Sequence, residues 1–90
     1  MPLTSAQRKA LLPRCSSLKP IVIVGNAGVS DGVLAELDQA LLAHELVKVR
    51  VNAGDREERR SMTERLAAAT GSDLVQAIGH VIVLYRPSPD

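Results

Sequence analysis

Ile21-Val22-Ile23-Val24-Gly25-Asn26-Ala27-Gly28-Val29-Ser30-Asp31 joins an all-apolar run to a G-x-x-G turn and then to a helix start. The apolar part is rich in β-branched residues and too short for a buried helix, so it predicts a fully buried strand. Ser30 is placed to cap the helix that follows. The two glycines remove the Cβ atoms that would hold a ligand off the backbone. The helix beyond presents unpaired N–H groups and a partial positive charge. A phosphate fits such a corner, and so does the backbone of a nucleic acid. A plain tight turn has the same composition, so the turn alone leaves both readings open.

The charges flanking this stretch are segregated. Residues 1–30 carry Arg8, Lys9, Arg14 and Lys19 and no acidic side chain, whereas residues 31–45 carry Asp31, Glu36, Asp38 and Glu45 and no Lys or Arg. From 46 to 90 the signs nearly balance, so a net charge of +1 conceals one basic and one acidic surface. A basic surface beside a glycine turn points to a polyanion, although solvated helices of differing sign give the same pattern.

At 90 residues and 46% apolar content, the chain is expected to form one domain over 1–90, with an ordered core of about 3–86. The longest apolar runs, at 21–24 and 81–85, are too short for a bilayer span or a secretory signal, and a cytoplasmic location is expected. Cys15 is the single cysteine and has no partner for an internal disulfide, so a helix-buried thiol is expected rather than a nucleophile.

The first helix is predicted to start at Thr4, which forms a capping box with Gln7, and to run towards Ser16 or Ser17. Leu11, Leu12, Cys15 and Leu18 fall on one side of it, with Lys9 and Arg14 outside that stripe. Pro13 predicts a kink or an early end near Leu12. A second helix over residues 31–43 follows from Val33, Leu34, Leu37, Ala40, Leu41 and His44, with His44 suited to its C-terminal end. Leu46-Val47-Lys48-Val49-Arg50-Val51 alternates as a strand, burying Val47, Val49 and Val51 and placing Lys48 and Arg50 on the other face, roughly 6.6 Å apart. That face either addresses neighbouring phosphates or is simply solvated.

Asn52-Ala53-Gly54-Asp55 reads as a turn. Asp55 caps a third helix through Ala69 that stops at Thr70-Gly71, with Met62, Leu66 and Ala69 as its apolar stripe. Asp55 and Arg59 are spaced for an i,i+4 pair, and an anion between Arg56 and Arg60 would relieve their repulsion. Residues 73–78 and 81–86 read as a hairpin turning at Gly79-His80. Tyr85, the one aromatic residue, is expected to pack on the sheet, which argues against single-strand binders built on aromatic platforms. The order α-β-α-β-α-β-β predicts an α/β two-layer sandwich with a four-stranded mixed sheet. The residues at 87–90 are expected to fray.

Several stretches together resemble the CRM domain, the chloroplast RNA splicing and ribosome maturation module, in its small bacterial stand-alone YhbY-type form. They are Leu3-Thr4, Leu18-Lys19-Pro20, the 25–28 turn, Ala43-His44-Glu45-Leu46-Val47-Lys48-Val49-Arg50, Asp55-Arg56-Glu57-Glu58-Arg59-Arg60, Ile78-Gly79-His80-Val81 and Leu84-Tyr85-Arg86. The resemblance implies a fold similar to the C-terminal domain of translation initiation factor three. It also implies RNA binding and association with precursors of the large ribosomal subunit. By position it makes the glycine turn the RNA-contacting loop. The lysine that the family often carries in that turn is replaced here by Asn26-Ala27.

Two functions follow as expectations. The first is a non-catalytic RNA-binding module for ribosomal RNA, gripping the sugar-phosphate backbone with Gly25, Asn26, Ala27 and Gly28. Arg8, Lys9, Lys19, Lys48, Arg50 and Arg56 would supply the electrostatic affinity. The second is a protein-interaction module docking through the acidic second helix or the sheet face. The sequence has no nucleophile–base pair, no metal-ligand cluster and no full Walker or Rossmann glycine pattern. No enzyme activity, cofactor, metal, membrane or small-molecule substrate is therefore expected.

Overall fold

Seven elements follow from local chemistry that the backbone obeys closely. The computed structural model describes residues 3–52 and 54–87. Ala53 of the expected 52–55 turn and Ser88-Pro89-Asp90 of the expected frayed end lie outside the described residues. Helix α1 spans Ser5–Cys15, β1 Pro20–Val24, α2 Asp31–His44, β2 Leu46–Val51, α3 Arg56–Thr70, β3 Asp73–Ile78 and β4 Val81–Tyr85. Thr4 and Gln7 form the capping box of α1, Ser30 accepts from the Val33 N–H at the head of α2, and Asp55 and Glu58 form a second capping box on α3. Gly71 ends α3 in the left-handed conformation, with its N–H on the Ala67 carbonyl.

The sheet order is β1-β2-β4-β3, with β1 parallel to β2 and both other pairs antiparallel. It is a mixed α/β arrangement of three helices and four strands. On one face Val22, Val24, Val47, Val49, Val51, Ile82 and Leu84 pack with Leu37, Ala40 and Leu41 of α2 and Leu66 of α3. These two helices and the sheet are the two layers. On the other face α1 covers only one end, where Cys15, Leu46, Val75 and Val83 are buried with Leu3, Leu11, Leu18 and Tyr85 around them.

Four local expectations need correction. Strand β1 is not fully buried: Ile21 and Ile23 are 47% and 57% exposed. It is an outer strand, and α1 does not reach the face that these two side chains share. Helix α1 does not stop near Leu12 but continues through Pro13 to Cys15. The proline forfeits a single N–H in the last turn, and burying Cys15 beside Leu11 and Leu18 holds that turn in place. Leu12, a step of about 100° away from Leu11 on the wheel, points outward and is 37% exposed. Ala69 is also exposed, and Thr63, Leu66 and Thr70 are the buried positions of α3. The two threonines manage this by returning their hydroxyls to the Arg59 and Leu66 carbonyls, at 2.8 and 2.7 Å.

Candidate functional site

Because β1 and β2 run parallel, their C-terminal ends lie together, and β4, running the other way, begins there. The 25–28 turn, the segment after Val51 and the Gly79-His80 turn therefore meet at one end of the sheet. The Asn52 N–H donates to the Val24 carbonyl at 2.8 Å, and the Val51 N–H to the His80 carbonyl at 2.6 Å. The His80 Nδ1 also lies 3.2 Å from the Val51 carbonyl oxygen, which ties the turn residue to β2.

The glycine turn is closed by the Gly28 N–H donating to the Gly25 carbonyl at 2.9 Å. Gly28 sits at φ +75, where an L side chain is strained. A Cβ built on either glycine would meet nothing within 4 Å. The corner is thus open to solvent and not plugged by its own side chains. The N–H groups of Asn26 and Ala27 at the exposed tip have no partner among the described residues. The head of α2 offers an anion less than expected. Ser30 already serves the Val33 and Leu34 N–H groups, and the first residue of the helix is the acidic Asp31.

Strand register sorts the cations. Lys48 sits opposite Pro20, the neighbour of Lys19, and Arg50 sits opposite Ile23, two residues before Gly25. Lys48 and Arg50 accordingly form a track on β2 that leads towards the turn, on the face turned away from the acidic helix α2, and Lys19 lies exposed just before β1. With a strand rise of about 3.3 Å per residue, the steps of this track approximate the spacing of successive phosphates. The Asn52 Oδ1 accepts from the Arg50 Nε at 2.8 Å, which orients the guanidinium and leaves its terminal N–H groups available for a forked contact.

The remaining expected cations are elsewhere. Arg8 donates from Nε and Nη2 to the Leu74 carbonyl at 3.3 and 3.2 Å, pinning α1 to β3 at the opposite edge of the sheet. Lys9 is exposed on the same helix. Arg56 opens α3, in the helical layer, so the sheet separates it from Lys48 and Arg50. Arg60 contacts Glu64 at 3.6 Å, which already offsets its charge beside Arg56. The Asp55–Arg59 pair does not form: the Asp55 carboxylate caps Glu58, and Arg59 donates to the Gly54 carbonyl at 3.0 Å.

Sequence reasoning missed Asn52 as the partner of Arg50, although two-residue spacing along an extended chain would have found it. It also gave Arg86 no role. The Cys15 thiol is 1% exposed, and burial pushes its pKa up against the opposing pull of Lys48 and Arg14. It is buried in the helix, as expected.

A mixed α/β domain carrying an open glycine turn at the head of a cationic track is the class these features define. The chain belongs to the CRS1/YhbY (CRM) domain family, whose model matches residues 3–86. It is 44% identical over 89 residues to a "probable RNA-binding protein" of Pseudomonas aeruginosa, covering 99% of this chain and 86% of that one. It is 41% identical to an "RNA-binding protein" of Haemophilus influenzae, covering 98% and 89%. The solution structure of a Staphylococcus aureus protein superposes with a TM-score of 0.86 at 34% identity, covering 98% of this chain and 92% of that one.

Proposed function

We propose that this protein is a non-catalytic RNA-binding module of the cytoplasm, a single domain that binds ribosomal RNA in precursors of the large ribosomal subunit. RNA binding is what the names of its relatives describe. The observation that supports the reading is the open, Cβ-free turn at the end of the strand pair whose one face carries Lys48 and Arg50, with Lys19 exposed at the start of β1. The N–H groups at the tip donate to a phosphate, and the cations neutralise its neighbours. Such contacts hold a strand in position without reading its bases, so affinity exceeds sequence preference. Arg8, Lys9 and Arg56 add long-range attraction outside the track.

Replacing Gly25 and Gly28 by Asp puts carboxylates where the phosphate would sit. Folded variants are expected to lose retention on single-stranded RNA, and gradient sedimentation is expected to find the wild-type protein, but not the variants, with free large subunits. Unchanged RNA retention would instead favour docking of a protein partner on α2 or the sheet face.

A further inference from the structure

On the helical side of the sheet, α3 leaves part of β3 bare. Leu74 and Ala77 sit opposite Leu84 and Ile82, which are buried under the helices, and a register irregularity between Leu74 and Gln76 turns both towards α3. The helix does not reach them: Leu74 is 36% exposed and Ala77 is exposed. Between helix and hairpin lies a cleft of about 740 Å³, with Leu74, Ala77 and Ile82 as its floor and Arg56, Arg59 and Arg60 on its helical wall. Glu57 and Glu64 also line it. Glu64 is engaged with Arg60 in an exposed pair, a contact that a stronger anion displaces at little cost. His80 also lines it, at the end of the sheet that carries the 25–28 turn.

We infer that this cleft receives one unstacked nucleobase of the RNA strand whose backbone lies on the glycine turn, an inference that rests on the function proposed above. Two features favour a base over an isolated phosphate, and a third says why guanidinium groups would do the stacking. The floor is apolar, as a base face requires. The wall supplies planar guanidinium groups, which stack on bases where aromatic rings are missing. Tyr85, the chain's one aromatic side chain, is packed in the cluster under α1 and is not available as a platform. The cations then hold the phosphates on either side of the inserted base.

The test compares two polyanions, a single-stranded oligoadenylate of roughly twelve nucleotides and base-free inorganic polyphosphate. Ala77→Phe fills the cleft from an exposed strand position. It is expected to weaken oligoadenylate binding about tenfold while leaving polyphosphate binding unchanged. Equal affinity for oligoadenylate, or an equal loss for both probes, overturns the inference while the proposed RNA binding survives. Failure of the wild-type protein to bind oligoadenylate at all overturns both. A second measurement needs no variant: titration of the wild-type protein with adenosine monophosphate is expected to shift the amide resonances of Thr63, Ala77 and Gly79. Shifts confined to the 25–28 turn would refute the cleft.

Discussion

Arg86 reaches Asp38 across 48 residues of sequence, its Nη1 donating to the carboxylate at 2.7 Å and its Nη2 to the Asp38 carbonyl at 3.1 Å. The same Nη1 also donates to the Thr70 carbonyl at 2.7 Å. One guanidinium thus ties the end of β4 to the middle of α2 and the last turn of α3, and it satisfies a helix-terminal carbonyl on the way. The Arg86 side chain is 19% exposed and that of Asp38 47%, so solvent screens part of the attraction. Arg86→Ala is expected to cost about 2 kcal/mol in urea unfolding, chiefly from stranded acceptors. Asp38→Asn, whose amide oxygen can still accept from Arg86 and which removes only the charge, is expected to cost less than half of that.

Glycines 25 and 54 make opposite predictions. A Cβ on Gly54, at φ +77, would lie 2.6 Å from the Glu58 Cβ, inside the capping box of α3. Gly54→Ala is therefore expected to destabilise by roughly 2 kcal/mol, from backbone strain and a displaced cap. Gly25 has open space around it and no positive φ, so Gly25→Ala is expected to change stability by less than about 0.5 kcal/mol. Thermal unfolding of the two variants side by side checks both.

Lys48→Ala with Arg50→Ala is expected to weaken RNA binding and leave the fold intact, since both side chains leave the buried valine face untouched. With about four phosphates neutralised, the log–log salt slope of the wild-type protein is expected near −3, and loss of two contacts flattens it by about 1.4. Filter binding over a salt series measures both quantities. An unchanged slope removes this face from the interface.

The buried Cys15 predicts a one-sided pH dependence. Its pKa is raised in the folded state above the ordinary value of 9.0, so above that pH the unfolded chain sheds a proton that the folded one keeps. Stability from this group is complete below pH 9.0 and falls as the pH rises beyond it. Cys15→Ala is expected to lose this alkaline decline, and alkylation of the native thiol at neutral pH is expected to be slow. Unfolding and alkylation curves at several pH values report the two effects.

Much of the fold was legible because local signals agreed with one another. Thr4, Ser30 and Asp55 announce helix starts by side-chain chemistry that acts within one turn, and Gly79-His80 announces the hairpin. The failures concern relations that no local window contains. A run such as Ile21-Val22-Ile23-Val24 looks the same in a central strand and an outer one, because exposure depends on which helix lies overhead. Leu12 and Ala69 were misplaced by small phase errors on the helical wheel. Of the candidate site, Lys48 and Arg50 on one strand face could be read from alternation, whereas the diversion of Arg8 to the Leu74 carbonyl depends on the whole topology.

Both outer strands carry a guard against their own kind. Pro20 opens β1 with no N–H to offer, and the pairing slips between it and Val22. At the opposite border, the irregularity after Leu74 exposes a carbonyl that Arg8 has already claimed. A neighbouring polypeptide seeking to lengthen the sheet finds its hydrogen-bonding template interrupted at each margin. A polynucleotide needs no such template, so blunted margins are compatible with the RNA contact proposed above while the sheet resists growth by added strands.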